Sequence, residues 1–206
     1  MAKKQKIIFG IDEVGRGSLA ASVFAAAIFS PKIKNLKFRI KNYFGIIGDS
    51  KQLTPQRREN IYKFLCRSTE VYWRIGRVSE KFIDKINIFE ATKLAMAKAV
   101  KSLEKKIDKK ADLLLIDGNF GIGMTREQKS IIRGDEKIFL ISLASIVAKV
   151  ERDRLMLRLH KKYPRYGFDK HKGYGTELHL ERLKKFGPCK IHRQSFEPIK
   201  SIFGRV

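Results

Sequence analysis

The chain has 206 residues, 43% of them apolar, which supplies one core of ordinary size and excludes a wholly disordered chain. Lys and Arg number 45 against 21 Asp and Glu, and the net charge of +24 selects polyanionic partners, nucleic acid or an anionic membrane surface. No stretch reaches the roughly 20 apolar residues of a membrane span, Asp12 comes too early for a signal peptide, and Cys66 and Cys189 fit neither a metal site nor a disulfide framework, so the expectation is nucleic acid in a reducing cytoplasm.

Residues 6–12 and 22–29 read as two buried strands joined through the Gly15–Gly17 turn, which makes them an antiparallel pair. Residues 32–42 form a basic excursion with only loose patterning. Thr54 and Pro55 then open a helix that runs to about Cys66, with Thr54 at the cap and Pro55 in the first turn. A strand over 71–78 and a short helix over 79–85 follow. Asn87 caps a long helix whose apolar face is expected to carry Phe89, Leu94, Ala97, Val100 and Leu103.

Ala111 to Asp117 has the composition of a buried strand and again ends on an acid, before a Gly-rich loop over 119–123. Ile131 and Ile132 lead into Gly134-Asp135, and a largely apolar helix spans about 137–160. Residues 163–176 are a loop rich in Gly, Tyr and His, and Thr176 caps a helix that stops before Gly187-Pro188. With no repeat or Ser/Gly linker, the chain reads as one domain of mixed α and β structure, with about 161–206 as a peripheral helical cap.

The first strand stops on Asp12 and Glu13, and Gly15-Arg16-Gly17 follows almost at once. Two like charges at a strand end repel unless a cation sits there, and glycines beside an arginine let backbone come close to a small polar group. Asp117 and Asp135 occupy comparable strand-end and helix-start positions, so the four acids can converge on one rim of the sheet. Taken singly, Asp117 reads as a solvated strand-end acid and Asp135 as a helix cap. Together they offer oxygen ligands for hard divalent cations such as Mg²⁺, and two such ions can activate water and stabilise a leaving oxygen of a phosphodiester.

An ordered series of motifs resembles bacterial ribonuclease HII over nearly the whole chain. It comprises Asp12-Glu13-Val14-Gly15-Arg16-Gly17, Asp49-Ser50-Lys51-Gln52-Leu53, Ile86-Asn87-Ile88, Asp117-Gly118, Gly134-Asp135, Ala144 to Val150 with Arg152-Asp153, His171-Lys172-Gly173-Tyr174-Gly175-Thr176, and Ile191 to Phe196. The resemblance implies an α/β fold, a ribonuclease-H-like mixed sheet flanked by helices, with a C-terminal helical segment. It implies cleavage of RNA in RNA–DNA hybrids and at single ribonucleotides embedded in duplex DNA. Asp12, Glu13, Asp117 and Asp135 would be the catalytic acids holding two Mg²⁺ or Mn²⁺ ions. Gly15, Arg16 and Gly17 would sense the 2′-hydroxyl, the group that separates RNA from DNA, and Tyr174 would pack on the sugar at the RNA–DNA junction. Ser50 and Lys51 look like phosphate contacts that position the strand without reading its sequence.

Lys149 and Arg152 either face phosphate or belong to an ordinary solvated helix face. His171, His179 and His192 are read as bystanders to the chemistry. Val14 replaces the family's usual Ala, and Ile138 and Phe139 stand where small residues are usual, which bears on the placement of Asp135. Cys189 reads as a surface change. Two alternatives stay open: a ribonuclease HIII-like enzyme without its N-terminal domain, and a non-catalytic basic nucleic-acid-binding protein. A monomer is expected.

Overall fold

A computed structural model describes residues 5–45, 47 and 52–203. Five strands form one mixed sheet: β1 (Ile8–Val14), β2 (Val23–Phe29), β3 (Tyr72–Val78), β4 (Leu113–Asp117) and β5 (Glu127–Ile131), in the order β3-β2-β1-β4-β5. β1, β2 and β3 run antiparallel in sequence, whereas β4 lies parallel to β1 and β5 parallel to β4. The alternation along β2 explains its unbroken apolar run. Val23, Ala25 and Ala27 enter one core cluster while Ala26 and Ile28 enter the other, so both faces are covered.

Helices α1 (Ile33–Phe44), α2 (Pro55–Arg67) and α3 (Glu80–Ile107) precede β4. α1 occupies the stretch expected to be an irregular excursion. Only Leu36 and Ile40 of this helix are buried, so its apolar stripe is one residue wide and its many basic residues hide the period. α2 begins as expected, with the Thr54 hydroxyl accepting from the Arg57 amide. In α3 the backbone leaves the helical region at Asn87, whose φ is 64°, and the Asn87 carboxamide accepts from the amides of Phe89 and Glu90. The short helix and the Asn87-capped helix are therefore both present, joined at a kink.

The expected apolar face of α3 needs correction. Phe89 and Leu94 are exposed at 41% and 36%, while Ala91, Ala95, Met96, Ala99, Val100 and Leu103 are buried. Close approach decides this: a Cβ on Gly76 of β3 would overlap the backbone of Ala95 and Ala99, so the face with alanines meets the sheet. β5 was also not expected. It is a largely polar edge strand, Glu127-Gln128-Lys129-Ser130-Ile131, of the kind that charged side chains protect from further pairing.

After β5 come α4 (Gly134–Lys137), α5 (Phe139–Lys162), α6 (Phe168–His171), α7 (Glu177–Phe186) and α8 (Ile199–Phe203). The expected helix over about 137–160 is thus two helices, broken at Ile138, whose φ and ψ of −119° and 115° are extended. Ile138 and Phe139 pack against the cluster formed by β2, α1, α2 and α5. A Cβ on Gly10 would overlap Leu140, so α5 rides directly on β1. A third cluster gathers Leu19, Ala20 and Ala21 with Met156, Tyr166, Phe168, Leu183 and Ile199, seating the C-terminal helices over the loop between β1 and β2.

Candidate active site

The parallel register of β1 and β4 pairs Ile8 with Leu113 and Ile11 with Ile116, so the next step brings Asp12 beside Asp117. β5, parallel to β4, ends at Ile131 opposite Asp117 and delivers the chain to α4. Three carboxyl-terminal strand ends therefore share one rim of the sheet, the position where open α/β sheets bind ligands.

At that rim one oxygen from each of Asp12, Glu13 and Asp117 lies within 4.8 Å of the others. Asp12 is buried at 4% exposure. Burial first, then the neighbouring charges of Glu13 and Asp117, pushes its carboxyl well above the ordinary range, against opposing hydrogen bonds from the Ser145 side chain and the Glu13 amide. Burial also raises Glu13, offset by Arg16, whose Nη1 donates to Glu13 Oε1 at 3.2 Å. The second oxygen, Glu13 Oε2, is buried and has no hydrogen-bond partner. Asp117 Oδ1 accepts from the Gly134 amide at 2.6 Å, tying the end of β4 to the start of α4.

Above the acids opens a cleft of about 540 Å³, lined by Gly15, Arg16, Gly17, Arg58, Ser145, Lys149 and Tyr174. Its turn is held from behind. Arg193, fully buried, donates to the carbonyls of Gly15, Arg16 and Ala21 at 2.7–3.0 Å. Arg152, also fully buried, donates to the Ser18 hydroxyl and the carbonyls of Ala20, Ser22 and Lys172. Gly15 has a φ of 90°, and a Cβ there would overlap the Arg152 guanidinium, so both backbone and packing require glycine. At Gly17 a Cβ would meet nothing, so the folded chain itself does not demand glycine there.

Tyr174 is placed by a β-bridge to Ser18 and by a hydrogen bond between its carbonyl and His179 Nδ1. Its ring lies 5.4 Å from the Arg152 guanidinium carbon and 5.9 Å from Lys149 Nζ. Behind it His171 and His179 stack at 4.2 Å, and His179 Nε2 meets His192 Nε2 at 3.1 Å. Burial, mainly, lowers His179 and His192 to about 4.

Of the residues singled out in the sequence, Asp12, Glu13, Asp117, Gly15, Arg16, Gly17 and Tyr174 meet in this cleft. Asp135 sits one residue beyond the Gly134 amide bond, buried at 4%, yet it neither lines the cleft nor joins the 4.8 Å group. Ser50 and Lys51 lie outside the described residues. Lys149 lines the cleft and pairs with Asp153 at 2.9 Å, so it can face a phosphate. Arg152 can do neither thing expected of it, because its guanidinium is committed to the β1–β2 loop. The sequence reading gave no role to Arg193, Ser145 or Arg58. Arg193 stands in the quoted Ile191–Phe196 motif and Ser145 in the quoted Ala144–Val150 motif, and those were the local signals available for them.

The donor set suits a hard divalent cation. All ligand atoms are carboxylate oxygens, no His or Cys joins them among the described residues, and a buried Glu13 oxygen is left without a partner. A cation there would offset the repulsion that raises Asp12.

Comparison with known proteins agrees with this geometry. The ribonuclease HII family model matches residues 9–199. Ribonuclease HII of Chlamydia abortus is 49% identical over 197 residues, spanning 96% of this chain and 87% of that protein. The Chlamydia pneumoniae ribonuclease HII is 45% identical over 196 residues, spanning 95% and 86%. Among solved structures, ribonuclease H2 from Pyrococcus horikoshii has a TM-score of 0.74 at 26% identity, covering 95% of this chain and 96% of that one. A Bst ribonuclease HIII in complex with Mn²⁺ shares the fold, with a TM-score of 0.72 at 14% identity over 95% of this chain and 68% of that one. Family model, relatives and fold converge, and the chain belongs to the ribonuclease HII family, ribonuclease-H-type endonucleases that hydrolyse RNA in RNA–DNA hybrids.

Proposed function

We propose that this protein cleaves the RNA strand of RNA–DNA hybrids and also cuts on the 5′ side of ribonucleotides embedded in duplex DNA, leaving 5′-phosphate and 3′-hydroxyl ends. The observation that carries the reading is the sharing of one cleft by the Asp12-Glu13-Asp117 cluster, the Gly15-Arg16-Gly17 turn and the Tyr174 ring. Asp12, Glu13 and Asp117, which cluster at the rim, would hold two Mg²⁺ or Mn²⁺ ions, with Asp135 at the start of α4 as the fourth acid. When bound, such ions supply activation of the attacking water and charge stabilisation at the leaving oxygen.

The chain's own groups do the rest. Arg193 occupies the carbonyls of Gly15 and Arg16, and among the described residues nothing accepts from the amides of Arg16 and Gly17. Those donors are left for the substrate sugar, and a 2′-hydroxyl can accept them where a deoxyribose cannot. Tyr174 limits the space beside the next sugar, so its ring favours deoxyribose there. Arg16 and Lys149, with Lys51, neutralise phosphate charge, and Ser50 hydrogen-bonds phosphate, so the strand is fixed without reading bases. The protein works as one cytoplasmic domain and a monomer, which light scattering at assay concentration checks.

The test is a DNA duplex carrying one ribonucleotide, incubated with Mg²⁺ or Mn²⁺ and with chelator as control. Metal-dependent cutting 5′ to the ribonucleotide, with a phosphatase-sensitive 5′ end, is expected. Salt-sensitive duplex binding without any cutting would instead mark a non-catalytic nucleic-acid-binding protein.

A further inference from the structure

Beside the cleft a row of aromatic and cationic side chains continues outward from the turn. Arg16 does not end the cationic lining; its guanidinium carbon lies 5.6 Å from the centre of the Phe120 ring. Phe120 meets Phe89 edge to face at 5.1 Å, and Lys93 Nζ stands 5.2 Å from the Phe89 ring. Cation and aromatic thus alternate from the cleft wall along the outer side of α3. Leu94, exposed at 36%, continues the row beside a shallow groove that it lines with Ile86, Glu90, Lys93, Ala97 and Gly123.

The row is built rather than incidental. The loop that presents Phe120 is fixed by Ser130 Oγ, which donates to the Phe120 carbonyl, and by the Gln128 carboxamide, which engages Ile122 and the Met124 carbonyl. Phe120 itself leans on the core cluster formed with α3. The Asn87 kink and its cap fix the first turn that carries Phe89. Phe89 nevertheless keeps 41% of its surface exposed, an expense of apolar area that the fold does not need. Lys93 pairs with Glu90 at 3.0 Å, but the Glu90 side chain is about half exposed, and a pair open to water on that side holds a lysine only weakly.

We infer that Phe120, Phe89 and Lys93 form a strand-binding subsite that extends the substrate groove beyond Arg16, taking sugar faces on the rings and a phosphate on Lys93. This rests on the nuclease reading of the cleft. The occupant is the substrate duplex itself, argued from two things. The row is continuous with Arg16, which lines the cleft, and both its ends are cationic side chains, each in a single ion pair with the glutamate three residues before it, in a chain of net charge +24. Aromatic faces take sugars and bases without sequence preference, as a sequence-independent nuclease requires.

The experiment compares the wild type with Phe89→Ala, Phe89→Tyr and Lys93→Ala on duplexes bearing one ribonucleotide, centred or close to either end. KM and kcat are read with metal, and binding by anisotropy in chelator. On the centred duplex, Phe89→Ala and Lys93→Ala are expected to raise KM by about tenfold at unchanged kcat, with Phe89→Tyr close to wild type. The same variants are expected to match wild type on the one end-placed duplex too short to reach the row. KM within twofold of wild type on every duplex would overturn the subsite and leave the row to a protein partner. An equal loss on all duplexes would overturn it as well, marking a structural effect. If even the wild type failed to cut, the nuclease reading would fall, while a length-dependent anisotropy loss confined to the variants would still uphold the subsite.

Discussion

The floor of the cleft and the C-terminal cap beside it both bury charge, and they treat it in opposite ways. At the floor Asp12, Glu13 and Asp117 crowd within 4.8 Å, one Glu13 oxygen has no partner, and burial raises both Asp12 and Glu13. Where α5 and the cap meet the turn, Arg152 of α5 and Arg193 of the cap are equally buried, yet their guanidinium groups are spread over backbone carbonyls and the Ser18 hydroxyl. Burial still lowers both arginines, but Arg193 only to about 9, so it stays charged at neutral pH. A satisfied buried charge fixes the turn; an unsatisfied one waits for a cation. On the proposed reading the acids carry the chemistry at a cost in stability, and the arginines hold the turn beside them.

Asp12→Asn breaks this contrast hardest. It removes one of three repelling carboxylates, so single-turnover cleavage is expected to fall on the order of 10³-fold or more. Without metal, the thermal midpoint is expected to stay level or rise, because a buried like-charge contact disappears. Turnover near that of the wild type, or a fall in the metal-free midpoint of several degrees, would remove the floor's assigned role.

In the cap the expected sign of the stability change reverses. Arg193→Ala strips donors from the carbonyls of Gly15, Arg16 and Ala21 and is expected to cost roughly 2–4 kcal/mol in urea unfolding. Arg193→Lys is expected to recover only part of this, since one ammonium cannot fork across three carbonyls. An unfolding midpoint unchanged by Arg193→Ala would show that Arg152 alone suffices.

Acid is expected to act on the cap through its buried histidines. His179 and His192 titrate near 4 in the folded chain against an ordinary 6.5, chiefly through burial. Their contribution is present above pH 6.5 and is lost as pH falls from 6.5 towards 4, because only the unfolded chain binds those protons. Each histidine contributes on the order of 3 kcal/mol across that window. Thermal midpoints from pH 8 to 4.5 are expected to fall most steeply below 6.5, and His192→Phe is expected to flatten the curve. A flat wild-type curve between pH 6.5 and 4.5 would contradict the neutral, buried cluster.

The same contrast governs what the sequence made readable. Asp12, Glu13 and Asp117 stood out because they end apolar runs, whereas the parallel pairing of β1 and β4 that brings them together is seen only in the fold. The clasp was hidden, since Arg152 has helix-face spacing with Lys149 and nothing local says that Ser18, 134 positions away, receives its guanidinium. α1 and β5 were missed for a related reason: their apolar stripes are too narrow to show among charged neighbours. On α3, size outweighed hydrophobicity, because the close approach at Gly76 selects the alanine face over Phe89 and Leu94. Asp135 is buried at the start of α4, next to the Gly134 amide that donates to Asp117, but it is not one of the three acids within 4.8 Å of one another, and the α4–α5 break at Ile138 is a second feature that periodicity does not register.

The smallest stability change belongs to the turn where the two regions meet. Gly15 answers to the cap: its φ of 90° and the Arg152 guanidinium behind it exclude a side chain, so Gly15→Ala is expected to cost roughly 1–3 kcal/mol. Gly17 answers to the cleft. A methyl group there meets nothing, so Gly17→Ala is expected to change stability by no more than about 0.5 kcal/mol, and any change should be towards stabilisation through the unfolded chain. Cleavage is the discriminating readout. If the substrate sugar approaches the Gly17 amide closely, the added methyl group displaces it, and cutting at a single ribonucleotide drops at undiminished thermal stability. Wild-type cleavage by Gly17→Ala would mean that the 2′-hydroxyl is sensed elsewhere on the turn, and that glycine at 17 reflects neither fold nor substrate contact.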